Sequence, residues 1–241
     1  MPGIRGNARS QELRTLESLT VSLRYPFVLF DLDGTLVDSA DSLVASVRYA
    51  LATVDQREPP DRDTILIQVG KPLELILAEL GYPAEPNQAK AFANAFRQHY
   101  AAHGLKVQRP YPGARELLAC LKTIGAKLAI VTTKHQTQAE ESASAAGIDC
   151  YFDYIHGWAE GRKHKPDPEP FLSALERLGG RSADALVVGD TEQDIIAARA
   201  AGITSCAVTH GFRPVALLAM YRPDYMVSHL RDVEAIVVEQ R

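Results

Sequence analysis

Cysteine is scarce in this sequence. Cys120, Cys150 and Cys206 are the only three, and no two stand in a Cys-x-x-Cys pair. That excludes a disulfide framework and a thiolate zinc knuckle, and leaves the three to be read as small, reduced, apolar side chains. Long hydrophobic runs are also missing: nothing approaches the ~18 apolar residues that cross a bilayer, and residues 1–24 lack the apolar stretch of a secretory signal. No membrane partner and a cytoplasmic setting are expected. Positive charge is not in excess either, with 26 Lys and Arg against 30 Asp and Glu and a net charge of -4. The electrostatic footprint of a nucleic-acid binder is absent, so no nucleic-acid partner is expected. There is no internal repeat and no low-complexity tract.

What is present is an ordinary globular balance, 46% hydrophobic and 23% charged over 241 residues. A chain of this length can build one large domain, or a core with a smaller appendage. From Phe27 the sequence runs Phe-Val-Leu-Phe, a short continuous apolar stretch that suits a strand covered on both faces. Similar stretches recur at 127–131, 185–188 and 203–208, alternating with helical patterns, which is the signature of βαβ units and a parallel sheet. Val227 is expected to end a further edge strand. Leu117, Leu121 and Ile124 mark one intervening helix, and Phe171, Leu175 and Leu178 a second that opens at Asp167-Pro168. A third runs from Thr191 to Gly202. The fold class expected is α/β, a Rossmann-like three-layer core with a parallel sheet.

Between the first apolar stretch and the second lie roughly ninety residues, far more than a crossover connection needs. Leu43, Val47, Leu51 and Val54 repeat at helical spacing there, as do Leu73, Ile76, Leu77 and Leu80, and then Phe92, Phe96 and Tyr100. Pro59-Pro60 and Gly81-Tyr82-Pro83 separate them. The spacing predicts an inserted α-helical cap with hinge segments at Asp38-Ser39 and at 110–113. The boundaries expected are an N-terminal extension at 1–24, a core formed by 25–38 with 106–241, and a cap at 39–105.

In an open α/β sheet, ligands sit outside the carboxyl ends of the strands. The residues that follow the apolar stretches are Asp31-Leu-Asp33-Gly34-Thr35, Thr132-Thr133-Lys134, and Gly189-Asp190-Thr191 leading to Asp194. Asp31 and Asp33 are two apart, so on extended chain they start from one face. With Asp190 and Asp194 added, four carboxylates converge. At ~4 Å and an effective dielectric near 20, each like-charge pair costs about 4 kcal/mol, more than one lysine offsets across the cluster. A divalent cation is therefore expected, and a hard oxygen donor set without His or Cys points to magnesium. Lys165, in the rigid His164-Lys-Pro-Asp-Pro168 loop, is the cation that could meet a phosphoryl group and let a carboxylate approach phosphorus.

Taken together these residues resemble the haloacid dehalogenase-like superfamily, whose phosphatases carry Asp-x-Asp-Gly-Thr, a Thr or Ser, a Lys, and Gly-Asp-x-x-x-Asp. All four elements occur in order: 31–35, Thr132, Lys165 and 189–194. The likeness extends from about Phe27 to the last strand and implies a helical cap of the phosphoglycolate-phosphatase-like type. It implies that Asp31 is the nucleophile of an aspartyl-phosphate pathway, and that Asp33 protonates the leaving alcohol and then activates water. Thr132 and Lys165 would hold the phosphoryl oxygens. Magnesium would be bound by the Asp31 carboxylate, the Asp33 backbone carbonyl and Asp190, with Asp194 in a supporting position. Many relatives with this cap have Asn after Thr132, where this chain has Thr133.

Gly34, and Lys71 at the start of a cap helix, complete the expected substrate contacts. Lys134, His135 and His164 are read as bystanders. Asp194 also has a structural reading, since Thr191 to Asp194 is a capping-box pattern. The activity expected is magnesium-dependent hydrolysis of a small phosphorylated metabolite, phosphoglycolate-like compounds first. A sugar phosphomutase and a catalytically silent binding module are the alternatives, and both a monomer and a homodimer remain open.

Overall fold

A computed structural model describes residues 22–239 of the chain. Its sheet is six-stranded, in the order β5-β4-β1-β6-β7-β8, with every neighbouring pair parallel. The strands are β1 (Phe27–Phe30), β4 (Lys127–His135), β5 (Tyr154–Trp158), β6 (Ala185–Gly189), β7 (Thr204–Val208) and β8 (Tyr225–Val227). β2 (Val37–Asp38) and β3 (Arg109–Pro110) form a separate antiparallel pair.

β1 is central, and its composition explains why. Val28, Leu29 and Phe30 are completely buried, each contributing about 1.5–3 kcal/mol of hydrophobic stabilisation. Val28 and Phe30 face one hydrophobic cluster with Leu117, Leu118 and Leu121, while Leu29 faces another with Phe171, Ala174 and Leu175. The first cluster is supplied by α5 (Ala114–Thr123), α6 (Gln136–Ala145) and α10 (Val233–Val237). The second is supplied by α7 (Glu169–Leu178) and α8 (Glu192–Ala200). Helices on both faces of a parallel sheet give the three-layer α/β core expected, because each strand must bury both of its faces.

The helical insert lies between β2 and β3. It comprises α1 (Ala40–Val54), α2 (Arg62–Leu66), α3 (Leu73–Glu79) and α4 (Pro86–His99), and α4 continues through a π-turn, Tyr100–Gly104. Leu43, Val47 and Leu51 of α1 meet Ile76, Leu77, Phe92, Phe96 and Tyr100 in a hydrophobic cluster of its own. The two crossings between insert and core are tied together, since Val37 pairs with Pro110 and Asp38 with Arg109. α9 (Val215–Met220) follows β7.

Three departures from the sequence reading have physical causes. β5 carries His156 and Gly157 in its middle, which breaks the apolar run. α6, sequence Gln-Thr-Gln-Ala-Glu-Glu-Ser-Ala-Ser-Ala, buries Gln138, Ala139, Ser142 and Ala143, none of them a large apolar side chain, so it shows no large-apolar period. Residues 22–24, expected within an N-terminal extension, are paired with the far end of the chain. Leu23 bridges Val238, and the Arg24 amide donates to the Val237 carbonyl at 2.8 Å. The rest of that extension, residues 1–21, lies outside the described residues.

Candidate active site

Strand order brings distant residues together. β1 lies between β4 and β6, so the residues just beyond its carboxyl end are flanked by those just beyond theirs, as expected for an open α/β sheet. The Asp31 amide donates to the Val188 carbonyl of β6 at 2.9 Å, which fixes the first carboxylate against the strand leading to Asp190. Lys165 enters from the loop ahead of α7. Its ammonium donates to Asp31 Oδ1 at 2.8 Å, to Asp194 Oδ1 at 2.6 Å and to the Val131 carbonyl at 3.0 Å. All of these side chains are buried.

Asp31, Asp190 and Asp194 each offer a carboxylate oxygen within 4.8 Å of the others. Burial pushes the Asp190 carboxyl up to about 8, the neighbouring Asp31 and Asp194 charges add to the rise, and the Phe212 amide and Thr35 hydroxyl oppose it. Burial likewise raises Asp31 to about 6, against the pull of Lys165. Burial works against the charge of Lys165 too, but Asp194 and Asp31 outweigh it, so its ammonium titrates above the usual lysine range. An all-oxygen donor set in which burial and neighbouring carboxylates disfavour the charge of Asp31 and Asp190 fits a hard divalent cation, which would relieve both effects.

Asp194 carries a structural task as well. Its Oδ2 accepts from the Thr191 amide at 3.1 Å and hydroxyl at 2.7 Å, closing the capping box of α8. With Oδ1 on Lys165, the carboxylate positions the ammonium beside Asp31. Asp190 is held by the Thr35 hydroxyl at 2.9 Å and the Phe212 amide at 2.8 Å. Thr132 is buried at the end of the apolar part of β4, and its Oγ1 accepts from the Lys134 amide at 3.2 Å.

Asp33 stands apart from the three-carboxylate cluster. Its Oδ1 accepts from the Ser39 hydroxyl at 2.6 Å, and its Oδ2 lies 2.9 Å from the Lys134 ammonium. Lys134, expected to be a bystander, is therefore in direct contact with a site carboxylate. The same ammonium lies 4.0 Å from the centroid of the Tyr100 ring, on the insert. Burial disfavours its charge, but Asp33 and Tyr100 more than offset that and raise it above the ordinary lysine range. A signal for Lys134 exists in the sequence: β4 stays extended through His135, so a residue two beyond Thr132 starts from the same face. Ser39, Tyr100 and Phe212 carry no such signal.

Gly34 and Lys71, two expected substrate contacts, both have partners within the protein. Gly34 has φ of +84°, and a Cβ there would come within 2.4 Å of Asp190 Oδ2. Its amide donates to the Val37 carbonyl at 2.9 Å and is thus committed within the turn. Gly34 makes room for Asp190. Gly211 does the same from the opposite chain segment, with a hypothetical Cβ 2.3 Å from the same carboxylate oxygen. Lys71 does line the cavity between insert and core, but its ammonium is engaged by Gln68 Oε1 at 2.8 Å and Glu79 Oε2 at 3.0 Å. His135 and His164 line that cavity as well, and His164 stacks on Trp158 with centroids 5.1 Å apart.

The family described as haloacid dehalogenase-like hydrolase matches the chain over residues 28–208. The chain is 31% identical over 210 residues to a pyrophosphatase, PpaX, of Halalkalibacterium halodurans, covering 87% of this chain and 95% of that one. It is 33% identical over 213 residues to a phosphoglycolate phosphatase of Neisseria meningitidis, covering 86% and 91% respectively. Its structure is similar to that of a haloacid dehalogenase-like hydrolase of Streptococcus pneumoniae, with a TM-score of 0.80 at 30% identity, covering 88% and 98% of the two chains. Among the described residues no helix is long and apolar enough to cross a membrane. The chain belongs to the haloacid dehalogenase-like hydrolase family and is an enzyme of its phosphatase kind.

Proposed function

We propose that this protein is a magnesium-dependent phosphomonoesterase acting on a small phosphorylated metabolite, of about the size of phosphoglycolate, through an aspartyl-phosphate on Asp31. The observation that carries this reading is the contact of the Lys165 ammonium with Asp31 and Asp194, next to Asp190. The buried Lys165 charge lies beside Asp31, where it offsets the repulsion that an anionic phosphoryl group meets on approaching an aspartate nucleophile.

Asp31 is the nucleophile. One of its carboxylate oxygens forms a bond to phosphorus as the bond from phosphorus to the leaving alcohol oxygen breaks. Asp33 delivers a proton to that oxygen, then takes one from the water that attacks the acyl phosphate, returning Asp31 as a carboxylate and releasing inorganic phosphate. Lys165 and Thr132 hold the nonreacting phosphoryl oxygens. Asp31 and Asp190, with the Asp33 carbonyl, would hold magnesium, which supplies charge neutralisation to a phosphoryl group facing several carboxylates. Asp194 positions Lys165 and caps α8. Lys134 and Ser39 orient Asp33.

The domain reading goes with this chemistry: residues 25–38 and 106–241 form the catalytic core, and 39–105 form a cap that excludes bulk water from the acyl phosphate. The test is release of inorganic phosphate from a panel of small phosphomonoesters with and without magnesium. Turnover that requires magnesium and disappears in Asp31→Asn supports the reading. Turnover retained in Asp31→Asn contradicts it.

A further inference from the structure

A buried arginine outside the catalytic cluster fastens the insert to the core. Arg213 follows β7, and its side chain is wholly buried. Its Nε donates to Glu192 Oε2 at 2.6 Å and its Nη2 to Glu192 Oε1 at 3.2 Å, a two-point grip on the first turn of α8. The rest of the fork crosses to the insert, where Nη1 donates to the Leu66 carbonyl at 3.2 Å and Nη2 to the Val69 carbonyl at 2.7 Å. A planar guanidinium can serve a carboxylate and two carbonyls together; an ammonium lacks the fork to do so. Gly70 rests on the same spot from the insert side, since a Cβ there would meet Thr191 Cγ2 at 3.5 Å and Arg213 Nη2 at 3.8 Å.

The residues just ahead of Arg213 run over Asp190. The Phe212 amide donates to Asp190 Oδ2, and Gly211 passes within van der Waals distance of the same carboxylate. His210 Nε2 lies 3.0 Å from the carbonyl of Thr35, whose hydroxyl donates to Asp190 Oδ1. The Phe212 ring packs against the insert's hydrophobic cluster. Residues 210–213 therefore hold Asp190 and Thr35 at one end and the insert at the other. A cation on Asp190 would fix the carboxylate on which this backbone rests, and with it the aim of Arg213. An arginine already aimed loses less conformational entropy when the insert docks on it.

Resting on the reading of Asp190 as a magnesium ligand and of 39–105 as a cap, we infer that residues 210–213 link the two: magnesium at Asp190 strengthens docking of the 66–72 segment on the core, and Arg213 is the positioning residue that carries the effect. Val69, Gly70, Lys71 and Pro72 of that segment line the cavity between insert and core, so the link decides whether this wall is in place. Linkage is reciprocal, so docking strengthens magnesium binding by the same factor.

The experiment is hydrogen–deuterium exchange of the full chain, with chelator and with magnesium. The amides of Gln68, Val69 and Lys71 donate to the carbonyls of Ile65, Leu66 and Gln68, so their exchange reports opening of the segment. In the wild-type chain magnesium slows exchange across 66–72 by about threefold or more. Arg213→Met is made together with Glu192→Gln, which leaves no buried carboxylate without its partner. In that double variant the segment exchanges about tenfold faster than wild type with magnesium present, the slowing by magnesium is lost, and the rise exceeds any in the peptides of α4 and β1. Arg213→Lys, which keeps the charge and loses the fork, falls between the two, and it decides by the same comparison if the double variant does not fold. An equal rise in all three peptides, or a slowing by magnesium that the variants keep, overturns the inference. A Tm response to magnesium without slowing at 66–72 overturns the link alone and leaves the magnesium reading standing. No Tm response to magnesium overturns both.

Discussion

The ammonium of Lys134 lies 2.9 Å from Asp33 Oδ2. That pair joins the end of a core strand to the one site carboxylate lining the cavity, and the Tyr100 ring of the insert packs 4.0 Å from the same ammonium. The proposed acid/base is thus oriented from the core by Lys134 and from the start of the insert by Ser39.

Lys134→Met removes the cation and keeps most of the hydrocarbon stem. For alkyl phosphates, whose leaving oxygen needs a proton, kcat/KM is expected to fall by about 10- to 100-fold, within the range of general acid catalysis. For acetyl phosphate, which leaves as a stable carboxylate, the fall is expected to be several times smaller. Equal losses on both substrates would show that Lys134 does not act through Asp33.

Asp31 and Asp190 give the metal-free protein a definite pH dependence. Their folded-state values, about 6 and about 8, lie above the ordinary 3.8, so the folded state holds more protons than the unfolded one. By linkage, their contribution to stability falls as pH rises, between about 3.8 and 6 for Asp31 and between about 3.8 and 8 for Asp190. A cation must displace those protons at low pH and need not at high pH. The rise in Tm on adding magnesium is therefore expected to be larger at pH 8 than at pH 5, in thermal scans with a chelator-treated reference. A rise that shrinks with pH would contradict the assignment.

Gly34→Ala tests the packing around Asp190. The added Cβ meets Asp190 Oδ2 at 2.4 Å, and the φ of +84° is itself strained for alanine. A stability loss of about 1–3 kcal/mol is expected, measured by denaturant unfolding, together with a smaller Tm response to magnesium. A variant that keeps the full magnesium response would show that the Gly34 contact does not hold Asp190 in place.

The sheet and most of the site were legible because each rests on a local pattern. The continuous apolar runs of β1 and β6 can only be strands buried on both faces, and Asp31, Thr132 and Asp190 follow their strands directly, so strand order alone brings them together. A single lysine such as Lys134 ordinarily reads as a solvated charge; here the Tyr100 ring of the insert covers it, a contact no local pattern encodes. Gly34 is legible as part of the turn that follows Asp33, but its neighbour is not. Asp190, 156 residues along the chain, packs behind it, a contact that no local pattern encodes. α6 is not legible because its buried residues, Gln138, Ala139, Ser142 and Ala143, carry no hydrophobic period.

The most direct test of the account is mass spectrometry of peptides from Asp33→Asn protein, quenched in acid during turnover of acetyl phosphate with magnesium. Asp33 activates the hydrolytic water, so its loss should let the acyl phosphate accumulate, and the account predicts a single added phosphoryl group on the peptide containing Asp31 that hydroxylamine removes. A phosphoryl group on any other residue, or turnover with none trapped under these conditions while Asp31→Asn remains active, would contradict it.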